Sequence, residues 1–237
     1  MDTGGRVVRR VEAGAGEPSV VLEAGRGNGA ASWQRVMPLL ASHVRAVAYD
    51  RAGLGGSAPA PGPVLIDRQV GDLAAVITGL TAGPCVLAGH SWGGILVQLL
   101  AFRRPDLVAG LVLVDPGHEE MESSLPVPVQ LGMRAWRAAF PDELRDDAPA
   151  TIAALRELRG AAAPFPDVPV VVLSATRGFP RRFRAHWTSL QAGLAAAAPR
   201  GRHVVVDGTG HDIPGNRPDV VAGTILAVAA QARAGCG

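Results

Sequence analysis

The sequence predicts an α/β fold: a doubly wound, mostly parallel sheet with one helical insertion. Short, near-continuous apolar runs recur along the chain, at Val20-Val21-Leu22, Ala46-Val47-Ala48-Tyr49, Val86-Leu87-Ala88, Leu111-Val112-Leu113-Val114, Val170-Val171-Val172-Leu173 and Val204-Val205-Val206. Strands covered on both faces read this way, because neither face meets water. Stretches with helical spacing separate most of these runs, and strict strand–helix alternation is the signature of parallel sheets with right-handed crossovers. Finally, the pentapeptide Gly89-His90-Ser91-Trp92-Gly93 lies between an apolar run and a helical stretch.

Taken in order, Val20 to Leu22 leads into the glycine-rich segment Glu23-Ala24-Gly25-Arg26-Gly27-Asn28-Gly29, and helical spacing follows from Trp33 to Leu40. Ala46 to Tyr49 opens a second glycine-rich loop, after which Asp67 to Leu80 reads as a helix. Cys85 to Ala88 feeds the pentapeptide, and the stretch from Trp92, expected to be an amphipathic helix, stops at Arg103-Arg104-Pro105, where proline cannot continue a helix. Leu111 to Val114 ends at Asp115. From Gly117 to Pro166 the alternation breaks: helix-like segments occur around Val129 to Phe140 and Thr151 to Arg159, with no convincing strand. Helical spacing resumes at Phe183 to Ala198 and Pro218 to Arg233.

This pattern divides a single domain into a core, residues 1–116 and 167–237, and a helical cap, residues 117–166. An insertion between two strands lies over their carboxyl ends, where open α/β sheets bind ligands, and caps of this kind exclude water and shape a pocket. Leu125, Val127, Val129, Leu131, Met133, Trp136 and Phe140 either line that pocket or hold the cap to the sheet. Met133 and Trp136, with Gly25 from the core, are the candidate substrate contacts.

At 237 residues, 48% hydrophobic and 19% charged, the chain is long enough for one large core and short for two. The formal net charge is +2, and the 23 basic residues are all arginine; they form no basic stripe interleaved with aromatics, which argues against a nucleic-acid partner. No apolar run reaches the ~18 residues of a membrane span and the amino terminus carries no signal-like apolar core, so the expectation is a cytoplasmic protein with no membrane partner. Cys85 and Cys236 make neither a disulfide framework nor a metal pair. His118-Glu119-Glu120-Met121-Glu122 lacks the second histidine of a zinc-binding helix and reads as a solvated entry to the cap; no metal or cofactor is expected. Arg177, Arg181, Arg182 and Arg184 are either an anion subsite or a solvated helix start. Nothing bears on oligomeric state.

The pentapeptide has the form of a nucleophile elbow. A serine lifted on a sharp strand-to-helix turn needs neighbours without side chains, which Gly89, Gly93 and Gly94 supply. The first free amides of the new helix then face whatever the serine attacks, and the N–H of Trp92 is the first candidate to hold a developing oxyanion.

Together with the elbow, two further stretches carry a family resemblance from Val20 to Ala232. Tyr49-Asp50-Arg51-Ala52-Gly53-Leu54-Gly55-Gly56-Ser57 and Gly208-Thr209-Gly210-His211-Asp212 are similar to loops of the α/β-hydrolase superfamily. The resemblance implies a Ser91 nucleophile, His211 as its base and a second oxyanion donor, the N–H of Arg26, although Ala24-Gly25 stands where the family commonly has His-Gly. The usual acid follows the strand Val170 to Leu173, but Ser174 to Phe179 contains no carboxylate. Asp115, where some family members place their acid, is the first choice and Glu119 the alternative. His90 reads as support for its neighbours, and Glu23 and Asp50 as loop anchors paired with arginines such as Arg51. The implied activity is hydrolysis of a carboxylic ester, thioester or lactone of a small to medium hydrophobic substrate through an acyl-enzyme. The same scaffold also hosts lyases, cofactor-free haloperoxidases, acyltransferases and non-catalytic ligand-binding members.

Overall fold

The computed structural model describes residues 7–60, 64–120, 123, 125–139, 148–160, 165–178 and 181–235. Strands β1 (Arg10–Ala13), β2 (Val20–Glu23), β3 (Ala46–Tyr49), β4 (Cys85–His90), β5 (Val108–Val114), β6 (Pro169–Ala175) and β7 (Arg200–Val206) form one sheet in the order β1-β3-β2-β4-β5-β6-β7. All neighbours are parallel except β1, which runs antiparallel to β3. The helices are α1 (Met37–Leu40), α2 (Ile66–Leu80), α3 (Trp92–Arg103), α4 (Val127–Ala138), α5 (Ala148–Gly160), α6 (Arg181–Ala196), α7 (Ile213–Asn216) and α8 (Pro218–Gly235).

Alternation along the strands divides the core into two layers. Val21, Leu87, Leu111, Leu113, Val170 and Val172 pack with side chains of α2, α3, α5 and α6, while Val20, Leu22, Val86, Ala88, Val112, Val114, Val171 and Leu173 pack with α1 and α8. This two-sided cover is why the central strands carry no polar face. Each fully buried aliphatic side chain contributes about 2 kcal/mol, so the sheet can hold strained turns at its carboxyl edge without unfolding.

Several expectations change in detail. Strand β1 was not foreseen, because its Arg10-Val11-Glu12-Ala13 sequence lies at the sheet edge and mostly faces solvent. The first residues of β7 are equally polar and exposed, so only its last three register as an apolar run. The stretch Trp33 to Leu40 is not one helix but a 3-10 turn, Ala30–Trp33, followed by the single turn α1. Helix α3 is not amphipathic: Trp92 through Ala101 are all buried, because the helix lies between the sheet and helices α2 and α5. Residues 117–166 hold α4 and α5. Phe140, Met121 and Glu122 lie outside the described residues. Among the described residues no helix is long and apolar enough to cross a membrane.

Candidate active site

The turn from β4 into α3 places Ser91 at φ 54° and ψ −114°, a left-handed conformation that costs a non-glycine residue of order 1–3 kcal/mol. Close packing holds it there. A Cβ on Gly89 would stand 2.5 Å from the Gly93 carbonyl oxygen, and one on Gly93 would stand 2.3 Å from that of Glu23. Strand, loop and helix therefore approach to distances that only glycine allows. The Ser91 N–H donates to Val114 O at 3.1 Å, and Ser91 O accepts from Gly94 and Gly117 N–H at 3.0 and 2.9 Å, fastening the turn to the end of β5.

His211 Nε2 lies 2.9 Å from Ser91 Oγ, and His211 Nδ1 lies 2.6 Å from Asp115 Oδ2. A carboxylate can only accept, so the proton sits on Nδ1, and the bare Nε2 accepts from the serine hydroxyl. Asp115 has no solvent exposure and a φ of 42°, a region that aspartate tolerates better than most side chains. Its other oxygen, Oδ1, accepts from Trp187 Nε1 at 3.0 Å and from the Ala175 N–H at 3.1 Å. The last residue of β6 thus meets Asp115 with a backbone donor, at the edge of the loop where a carboxylate was sought.

Glu119, the alternative, turns elsewhere. Both its oxygens accept from Arg159 Nη1, at 2.6 and 2.8 Å, and Arg159 also donates to Gln98. His118 is buried beside this pair, so His118 and Glu119 are not a solvated entry but part of a junction between α3 and α5. Asp212 caps α7, accepting from the Gly215 N–H at 3.0 Å.

His90 Nε2 lies 2.9 Å from the carbonyl oxygen of His211. That oxygen can only accept, so Nε2 carries the proton and Nδ1 is bare. Burial pushes the His90 imidazole down to about 4, with the neighbouring His211 adding to the effect, and the ring stays neutral. The two rings stand 4.8 Å apart at 41°.

The segment after β2 comes close enough that a Cβ on Gly25 would lie 3.2 Å from His90 Nδ1 and 3.5 Å from Ser91 Cβ. The Arg26 guanidinium stacks 4.1 Å from the centre of the Trp92 ring, a cation–π contact, and the buried Trp92 indole donates to Gln69 Oε1 at 3.0 Å. Arg51 pairs with Glu23 at 2.5 Å and Arg9 with Asp50 at 2.9 Å. Burial raises the Glu23 carboxyl above the ordinary carboxylate range, opposed by the Arg51 charge and the Tyr49 hydroxyl.

Met133 is half-buried on α4, while the side chain of Trp136 lies outside the described residues, as do those of Arg181 and Arg182. Val127, Val129 and Leu131 are 64, 46 and 57% exposed. Trp187 was not singled out in the sequence, where nothing near it hints at a carboxylate 72 residues away.

The family model for the alpha/beta hydrolase family matches residues 20–224. The protein YqjL of Bacillus subtilis is 24% identical over 211 residues, 88% of this chain and 82% of that one. Lipase LipV of Mycobacterium tuberculosis is 44% identical over 85 residues, 35% of this chain, so the match spans only 32% of the lipase. An esterase from Thermogutta terrifontis shares the fold with a TM-score of 0.67 at 22% identity, covering 95% of this chain and 94% of that one. The strand order, the turn at Ser91 and a match across most of the length agree: the chain belongs to the alpha/beta hydrolase family.

Proposed function

We propose that the protein is a serine hydrolase that cleaves a carboxylic ester, thioester or lactone of a small to medium hydrophobic substrate through an acyl-enzyme. The observation that carries this reading is the unbroken hydrogen-bonded line from Ser91 Oγ through His211 to the solvent-free Asp115. In the reaction His211 Nε2 takes the hydroxyl proton as Oγ attacks the carbonyl carbon, and the tetrahedral oxyanion is held by the N–H groups of Trp92 and Arg26. Collapse breaks the bond to the leaving group, which takes the proton from His211. Water then repeats the cycle on the acyl-enzyme and frees the acid. Asp115 holds the imidazole in one tautomer and stabilises its cationic form. The chemistry needs side chains, backbone amides and water alone. The 117–166 insertion acts as the cap, with Met133, Trp136 and Gly25 as substrate contacts.

A fluorophosphonate probe and a panel of p-nitrophenyl esters, thioesters and lactones test this reading. The probe is expected to modify Ser91, and Ser91→Ala to lose labelling and about 10⁶-fold in turnover. A folded wild-type protein that neither labels nor turns over any member of the panel overturns it.

A further inference from the structure

The carbonyls that precede Arg26 are held by a buried guanidinium that the reaction does not itself use. Arg51 Nη1 donates to Ala24 O and Nη2 to Gly25 O, each at 2.6 Å. The Gly25 oxygen also accepts from the Asn28 N–H at 3.1 Å, closing a turn in which Gly27 has a φ of 68°. In a trans peptide the carbonyl and the following N–H point in opposite directions, so fixing Gly25 O fixes where the Arg26 N–H points. With no Cβ, Gly25 restricts its own ψ little, so without Arg51 the Gly25–Arg26 peptide would be held by the single Asn28 N–H.

We propose that Arg51 is a positioning residue that locks the Gly25–Arg26 peptide with its N–H toward the oxyanion formed at Ser91. This rests on the reading of Ser91 as nucleophile and of the Arg26 amide as an oxyanion donor. The lock has a rigid mount. Arg51 is paired with Glu23 at 2.5 Å, and the Tyr49 hydroxyl donates to the other oxygen of that carboxylate. Their side chains are 10% and 1% exposed. A buried ion pair is a weak device for stability, since apolar side chains of the same volume often do as well. Apolar side chains, however, cannot donate to the Ala24 and Gly25 carbonyls. The planar fork of arginine serves both at once, whereas lysine presents a single point donor. Asp50, the neighbour of Arg51, secures the far end of the segment: Oδ1 accepts from the Ala30 N–H at 2.8 Å and Oδ2 from the Gly56 N–H at 3.0 Å. Adjacent side chains at the end of β3 thereby pin both ends of residues 24–30.

The test compares an ester with its thionoester in wild type, Arg51→Lys, Arg51→Met and the charge-balanced pair Glu23→Gln/Arg51→Met, with folding followed by circular dichroism. Sulfur accepts hydrogen bonds poorly, so the oxo-to-thiono ratio of kcat/KM reports the oxyanion donors. Losing one such donor costs about 10²-fold or more in kcat. Arg51→Met and the double variant are expected to lose roughly that factor on the oxo ester with KM little changed, and their oxo-to-thiono ratio to fall with it, Arg51→Lys lying between them and wild type. A folded double variant whose ratio equals that of wild type overturns the role of Arg51 alone. A wild type without hydrolysis or fluorophosphonate labelling overturns the hydrolase reading and this inference with it.

Discussion

Asp115 and Glu119 lie four residues apart after β5, are both largely shielded from solvent, and meet different neighbours. Asp115 faces the core, where its donors are Trp187 Nε1, the Ala175 N–H and His211. Glu119 faces the insertion, where both oxygens are taken by the Arg159 guanidinium on α5. A carboxylate already neutralised by a permanent cation gains little when a nearby imidazole becomes charged. One held only by neutral donors gains a full ion pair at that moment, and interactions that strengthen in the transition state are the ones that accelerate a reaction. In the proposed mechanism the same side-chain chemistry thus serves as a charge stabiliser at Asp115 and as a strut at Glu119.

The largest effect that could break this contrast is on turnover. Asp115→Asn is expected to lower kcat by about 10⁴-fold while leaving the fold intact, since an amide supports the wrong imidazole tautomer. Glu119→Gln should stay within tenfold of wild type in kcat but lose about 3 kcal/mol of stability, because the buried Arg159 loses the carboxylate that pairs with it. For a chain of this size that is a fall in Tm of roughly 10 °C. Steady-state kinetics and thermal denaturation read both variants, and the reverse pattern would exchange the two roles.

The contrast also explains what could be read from the sequence. The elbow was legible because its motif is local: Gly89, Ser91 and Gly93 lie within five residues, although only the clash at Gly89 comes from the turn itself and that at Gly93 comes from Glu23 and Ala24. The central strands were legible because burial on both faces writes an apolar run. Edge strand β1 and the start of β7 were not, since half-exposed strands carry arginine and histidine like any loop. The family resemblance alone puts Asp115 ahead of Glu119, because the residues themselves do not separate the two. The choice depends on the backbone angle at Asp115 and on Ala175 and Trp187, which lie 60 and 72 residues further on. The pairing of Glu23 with Arg51 was foreseen as a loop anchor, but the carbonyls that Arg51 holds have no trace in side-chain identity.

Buried histidines extend the comparison to pH. His90 in the core and His118 at the junction are both lowered by burial, with Glu119 opposing the shift only at His118. For His90 the ordinary value is 6.5 and the folded value about 4. Between these values the unfolded chain binds a proton that the folded one refuses, so stability falls as pH drops through this window and levels off below it. The size is about 3 kcal/mol. His90→Gln, which keeps an N–H to offer the His211 carbonyl, should flatten the stability profile between pH 6.5 and 4 by that amount. Urea denaturation across the range measures it, and an unchanged slope would mean that the His90 ring takes up its proton in the folded protein.

The smallest effect separates the two helices of the insertion. Helix α5 buries Leu155 and Thr151 completely against the core, whereas α4 leaves Val127, Val129 and Leu131 exposed, so α5 contributes more to stability, and α4 is the helix to which the proposed function assigns substrate contacts. Met133, half-buried on α4, tests that division. Met133→Ala should leave Tm and kcat for short acetyl esters near wild type and raise KM for longer acyl chains by about tenfold, the scale of a lost methylene or two of apolar contact. A measurable fall in Tm, or an equal change in KM at every chain length, would place Met133 with the struts of α5 instead.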